Sequence, residues 1–134
     1  MKVQVRYYSR SGNTKLLADA IAKGANVNAV SVDDDKALIA EETDILFIGG
    51  ALYAYGLDNK IKKYISELNA SYIKKAIVFS TSWISKHSID LLKKELAKKK
   101  IYVCEEYIYY KNKPNDSELK EVEKNVEKLL EKEI

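Results

Sequence analysis

The chain of 134 residues has one cysteine, one histidine, one proline, one tryptophan and five glycines. A lone Cys104 excludes a disulfide framework and any cysteine-built zinc or iron–sulfur site within the chain. A lone His87 likewise excludes a multi-histidine metal site. The scarcity of Pro and Gly, against 46% hydrophobic residues, excludes a collagen-like or wholly disordered chain. No run is long and apolar enough to cross a bilayer as a helix. The longest, Ile45 to Leu57, contains three glycines and two tyrosines and reads as a buried strand entering a loop. The start, Met1-Lys2-Val3-Gln4-Val5-Arg6, has no signal-peptide pattern. Strong charge of one sign is absent too. With 23 basic and 20 acidic residues interleaved, the net charge is +3, which argues against nucleic acid as a partner. Together with the single thiol, this predicts a cytoplasmic protein.

What remains is enough apolar sequence for one core and one domain over residues 1–134. Strand and helix patterns alternate along it. Strands are predicted over Lys2 to Tyr8, Val27 to Val32, Asp44 to Gly49, Ala76 to Thr81 and Ile101 to Tyr110. Between and after them lie helices over Asn13 to Lys23 (Leu16, Leu17, Ala20 and Ile21 inward), Asp58 to Leu68, and Lys86 to Lys99. A final helix follows Pro114, capped by Asp116 or Ser117, with Leu119, Val122, Val126, Leu129 and Leu130 inward. The run Asp33-Asp34-Asp35 ends the second strand. Strict alternation implies an α/β fold, a three-layer α/β/α sandwich around a five-stranded parallel sheet. Ligands of such sheets sit beyond the carboxyl ends of the strands, where the winding reverses. One residue sits awkwardly in this scheme: Arg6, in an interior strand, needs a partner or an exit to solvent.

The loop after the first strand reads Ser9-Arg10-Ser11-Gly12-Asn13-Thr14. It combines three hydroxyls, an amide and a glycine at a helix start, where free backbone amides carry partial positive charge. This is the chemistry of a phosphate monoester site without a lysine. The plainer alternative is a strand-to-helix turn with Ser11 or Asn13 as an ordinary cap, yet a cap needs only one such residue. Neither the Walker spacing nor a Gly-x-Gly-x-x-Gly turn is present.

Tyr8-Ser9-Arg10-Ser11-Gly12-Asn13-Thr14 resembles the phosphate loop of flavodoxins. Asp44 to Gly50 with the aromatic-bearing loop to Gly56 resembles that family's third strand and first flavin loop. Phe79-Ser80-Thr81-Ser82-Trp83 resembles its fourth strand entering the second flavin loop, and Lys113-Pro114-Asn115-Asp116 resembles the end of short-chain members. The resemblance implies the strand order 2-1-3-4-5 and FMN as cofactor. It places the phosphate on Ser9, Arg10, Ser11, Gly12, Asn13 and Thr14. The flavin ring would lie between two loops, one formed by Ala51, Leu52, Tyr53, Ala54, Tyr55 and Gly56, the other by Thr81, Ser82, Trp83 and Ile84. Each aromatic there also reads as a core or surface residue. The family further implies a low-potential one-electron carrier, monomeric, serving redox partner proteins, with a peptide at Gly50 or Gly56 that turns over on flavin reduction. Members are usually acidic, and a sequence pI near 8.8 departs from that. The rival reading is a small FMN-dependent quinone or porphyrinogen oxidoreductase, whose substrate pocket needs loop length this chain has little of. A receiver domain is excluded, because Ser9-Arg10-Ser11 and Gly49-Gly50 stand where it needs acids. Cys104 reads as a small buried apolar residue and His87 as a solvated one.

Overall fold

The computed structural model describes residues 1–53, 56–82 and 85–133. In chain order the elements are β1 (Val3–Tyr7), α1 (Asn13–Ala25), β2 (Ala29–Ser31), β3 (Thr43–Gly49), β4 (Leu52–Tyr53), β5 (Gly56–Leu57), α2 (Asn59–Ser66), β6 (Ile73–Thr81), α3 (His87–Lys98), β7 (Val103–Tyr110) and α4 (Asp116–Lys132). The main sheet is ordered β2-β1-β3-β6-β7 and its strands pair in parallel throughout. Counting only those five strands along the chain, this is the expected order 2-1-3-4-5. Strands β4 and β5 form a separate antiparallel pair beyond the end of β3.

The uninterrupted apolar runs in β3 and β6 follow from burial on both faces. Ile45, Phe47, Ile77 and Phe79 point to one face, where they meet Leu17, Ala18 and Ile21 of α1 and Val122 and Val126 of α4. Leu46, Ile48, Ala76 and Val78 point to the other, onto Ile61 and Ile65 of α2 and Ile89, Leu92 and Leu96 of α3. Leu16, expected inward, is only half-buried, whereas Ala18 and Ala22 are buried.

Strand β1 alternates because only one of its faces is apolar. Val3, Val5 and Tyr7 join the α1–α4 core. Arg6 lies on the opposite side and is 4% exposed. Its partners are mostly backbone: Nε donates to the Ala37 carbonyl (2.8 Å), one Nη to the Val5 carbonyl (3.1 Å) and the other Nη to Gln4 Oε1 (3.2 Å). The Tyr64 hydroxyl donates to the same Ala37 oxygen (2.5 Å). The segment after β2 thus supplies one oxygen, that of Ala37, and β1 itself supplies the other two.

Boundaries differ from expectation where pattern and pairing diverge. Strand β6 begins at Ile73, three residues ahead of its apolar run, because its backbone already pairs there with Thr43 of β3; the polar side chains on this stretch find acids, Lys74 at Asp44 (3.2 Å) and Lys75 at Glu133. Strand β2 has three residues, a short edge. Asn115, rather than Asp116 or Ser117, caps α4, in a reciprocal capping box with Glu118.

Candidate flavin-binding cleft

Tyr7 ends β1, and the chain turns through residues 8–12 into α1. Gly12 occupies the N-cap position with φ of 95°, the left-handed region that favours glycine, and no side chain caps the helix. The loop is preorganised by its own hydroxyls. Ser9 Oγ accepts the Gly12 N–H (3.0 Å) and Ser11 Oγ accepts the Asn13 N–H (3.3 Å). Both hydroxyls keep a proton to donate. A Cβ at Gly12 would meet nothing within 4 Å, so the approach to the first-turn amides of α1 is open. An uncapped helix start with hydroxyl donors around it is suited to an anion.

Two contacts fix this loop against the ends of the other strands. Thr14 is buried, and its hydroxyl pairs with that of Thr81 at the end of β6 (2.7 Å). Arg10 Nε donates to Asp58 Oδ2 (2.5 Å), and its guanidinium lies 3.8 Å from the centre of the Tyr53 ring. Asp58 is 4% exposed and also caps α2 through the Lys60 N–H (3.0 Å). The hydrogen bond from Arg10 to Asp58 raises the guanidinium's pKa further, so this cation never titrates in the working range. Ser80 knits the remaining walls: its hydroxyl donates to the Gly50 carbonyl (2.6 Å) and pairs with Ser88 at the start of α3 (2.6 Å). The Tyr109 hydroxyl holds the Ser82 carbonyl (2.5 Å).

One cleft results, of about 240 Å³, at the carboxyl ends of β1, β3 and β6. Of the residues expected at the site, Arg10, Ser11, Asn13, Thr14, Ala51, Leu52, Tyr53, Thr81 and Ser82 border it. Ser9 and Gly12 shape its loop instead of lining it. Gly56 faces a neighbouring groove against α3. Ala54, Tyr55, Trp83 and Ile84 lie outside the described residues. Sequence reasoning missed three lining residues, Tyr8, Asp58 and Asn112. Asp58 carried a usable signal, since an acid before a helix is a cap and Arg10 needed a counter-ion. Asn112 carried a weaker one: it takes φ of 63°, which Asn tolerates better than most residues. A larger cavity, about 670 Å³, lies between residues 32–40 and α2, beside the β2 edge and away from these loops.

Residues 4–133 match the model of the flavodoxin domain. The chain belongs to the flavodoxin domain family. No curated protein matches it in sequence. Among solved structures, this flavodoxin domain is similar to a flavodoxin from the domain Archaea, with 26% identity, 98% of each chain covered and a TM-score of 0.79. Oxidised flavodoxin 1 from Bacillus cereus is 20% identical with a TM-score of 0.77, again over 98% of each chain. A flavodiiron core from Synechocystis is 22% identical with a TM-score of 0.77; the match takes in all of this chain and 37% of that one. Membership implies a flavin cofactor, and the cleft fits one. It offers anion donors at the α1 end and the Tyr53 ring, backed by Arg10, at the other. Among the described residues no helix is long and apolar enough to cross a membrane, and none of the His, Cys, Asp and Glu side chains cluster as a metal site.

Proposed function

We propose that this flavodoxin domain binds FMN noncovalently in the cleft and carries electrons one at a time between partner proteins. The observation that carries the reading is the uncapped start of α1 behind Gly12, with the hydroxyls of Ser11 and Thr14 beside it. Bound FMN supplies the redox chemistry. The chain's own residues bind and orient. Ser11, Thr14 and the amides of α1 that follow Asn13 in its first turn hold the phosphate, and Arg10 supports Tyr53 as one wall for the ring, with Trp83 proposed as the other. Of the two candidate glycines, Gly50 has its carbonyl held by the Ser80 hydroxyl (2.6 Å), so Gly56 is the one assigned to turn over. The same reading takes the protein to be a cytoplasmic monomer formed by one domain.

Titration with FMN and with riboflavin tests this. FMN binds more tightly, and Ser11→Ala or Thr14→Ala weakens FMN by about 1–2 kcal/mol while leaving riboflavin unchanged. Equal affinity for both ligands overturns the phosphate assignment. Turnover of quinones with a nicotinamide donor overturns the carrier role in favour of an enzyme.

A further inference from the structure

We infer that the groove between β5 and α3 is a docking face for an acidic partner protein, an inference that rests on the FMN reading for its place beside the flavin. The groove has a volume of about 210 Å³, and its walls include Gly56, Leu57, Lys62, His87 and Lys94. Its one acid, Glu95, is neutralised by Lys98 at 2.9 Å. Lys62 and Lys94 are exposed and have no ion-pair partner among the described residues; Asp90, four residues before Lys94, forms none either. The groove floor is therefore positive. Around α3, Lys86 donates to the Tyr107 hydroxyl (3.0 Å) and Lys93 to the Glu105 carbonyl (3.3 Å), so neither is ion-paired among the described residues.

Position gives this charge its meaning. Gly56 closes the loop from Ala51, and His87 opens α3 directly after the loop from Thr81. The groove thus begins at Gly56 and His87, the described ends of the two loops assigned to the flavin ring, and runs along α3 from there. Of the acids at this end of the sheet, Asp33, Asp34 and Asp35 cluster after β2 at the far edge, Asp58 is paired with Arg10, Asp90 lies in the first turn of α3, and Asp116 and Glu118 lie in that of α4. A partner bearing carboxylates is drawn to the α3 side and turned away from the β2 side, which orients it with its surface beside the ring edge. The net charge of +3 agrees in sign with this polarity.

Two measurements test the inference. The first uses the full chain as purified, with amide chemical shifts followed during titration with a glutamate-rich peptide. The peptide shifts the amides around Lys62, His87 and Lys94 and leaves Asp33 to Asp35 unmoved. Raising salt above about 0.15 M removes the effect. Lys62→Glu with Lys94→Glu weakens binding at least about tenfold and leaves the FMN affinity unchanged. Shifts centred elsewhere, an equal response to a lysine-rich peptide, or no effect of the paired substitutions overturn the proposal. An equal response to an oligonucleotide of matching charge overturns its protein-specific part. The second measurement follows reoxidation of the reduced, FMN-loaded chain by anionic hexacyanoferrate(III) and cationic hexaammineruthenium(III). Substitution of both lysines slows the anionic acceptor and speeds the cationic one, and an unchanged ratio overturns the steering. A chain that takes up no FMN fails the carrier reading, while the peptide map still decides the docking face.

Discussion

Arg6 satisfies its charge with carbonyl oxygens, and that choice governs what its loss does. In Arg6→Met the stem still packs, and the Ala37 oxygen keeps the Tyr64 hydroxyl. The charge-assisted bonds to Ala37 and Gln4 disappear. Urea unfolding reads a loss of about 1–3 kcal/mol, and no loss shows that the oxygens are equally well served without the guanidinium. The requirement for a partner was legible from Arg6 alone. The partner was not, because a backbone carbonyl 31 residues away leaves no mark in the sequence of side chains. Asp58 was legible as a cap ahead of α2, but its place in the cleft was not, because its contact with Arg10 spans 48 residues and exists only once β1 and β3 are adjacent. Cys104 behaves as the composition suggested. It is buried, and burial pushes its thiol pKa up. Alkylation of the folded protein at mildly alkaline pH is therefore much slower than alkylation in denaturant, and equal rates would place the thiol at the surface.

At the scale of elements, the packing of α1 on α4 sets a contest between propensity and space. Gly24 lies inside α1, where Ala would favour the helix by about 1 kcal/mol. A Cβ there would come within 2.6 Å of the Glu123 carbonyl and 3.0 Å of Val126 Cβ. Backbone cannot step aside cheaply, so overpacking of about 1–3 kcal/mol wins and Gly24→Ala lowers the thermal midpoint. A raised midpoint would show that α4 slides freely. The capping box of α4 gives a simpler case: Asn115→Ala costs about 1 kcal/mol in denaturant unfolding. Periodicity made all four long helices and the five main strands readable, since each buries a face. Their ends were less so. The start of β6 depends on Ile73 finding Thr43 on the neighbouring strand, and the cap of α4 depends on which of three adjacent polar residues turns back.

For the whole molecule, Asp44 bears on how acid acts. Its carboxylate accepts the Lys2 N–H (2.7 Å) and faces Lys74 (3.2 Å), and these hold its pKa below the usual carboxylate range. Its contribution is therefore complete above about pH 4, where the unfolded group is ionised, and fades as pH falls through the lower folded value. Asp44→Asn flattens the pH dependence of urea midpoints in that acid window and changes little of it near neutrality. A slope equal to the parent's there would remove Asp44 from the account. The site was legible to the degree that it is local: the turn from β1 into α1 is written in consecutive residues. Of the walls that complete it, Tyr8 belongs to that turn, whereas Asp58 and Asn112 belong to a surface that exists only after the sheet is assembled.

The two cores also differ in when they can close during synthesis. The face under α2 and α3 draws on residues 39–101 for its buried members, a nearly continuous stretch of chain. The other face joins Val3 near the amino terminus to Val126 in α4. A ribosome releasing the chain from its amino end delivers the first set well before the second. Until α4 emerges, α1 covers only part of that face, the apolar residues that Val122 and Val126 will meet stay open, and the nascent protein is a half-finished sandwich, open to chaperones on one side only.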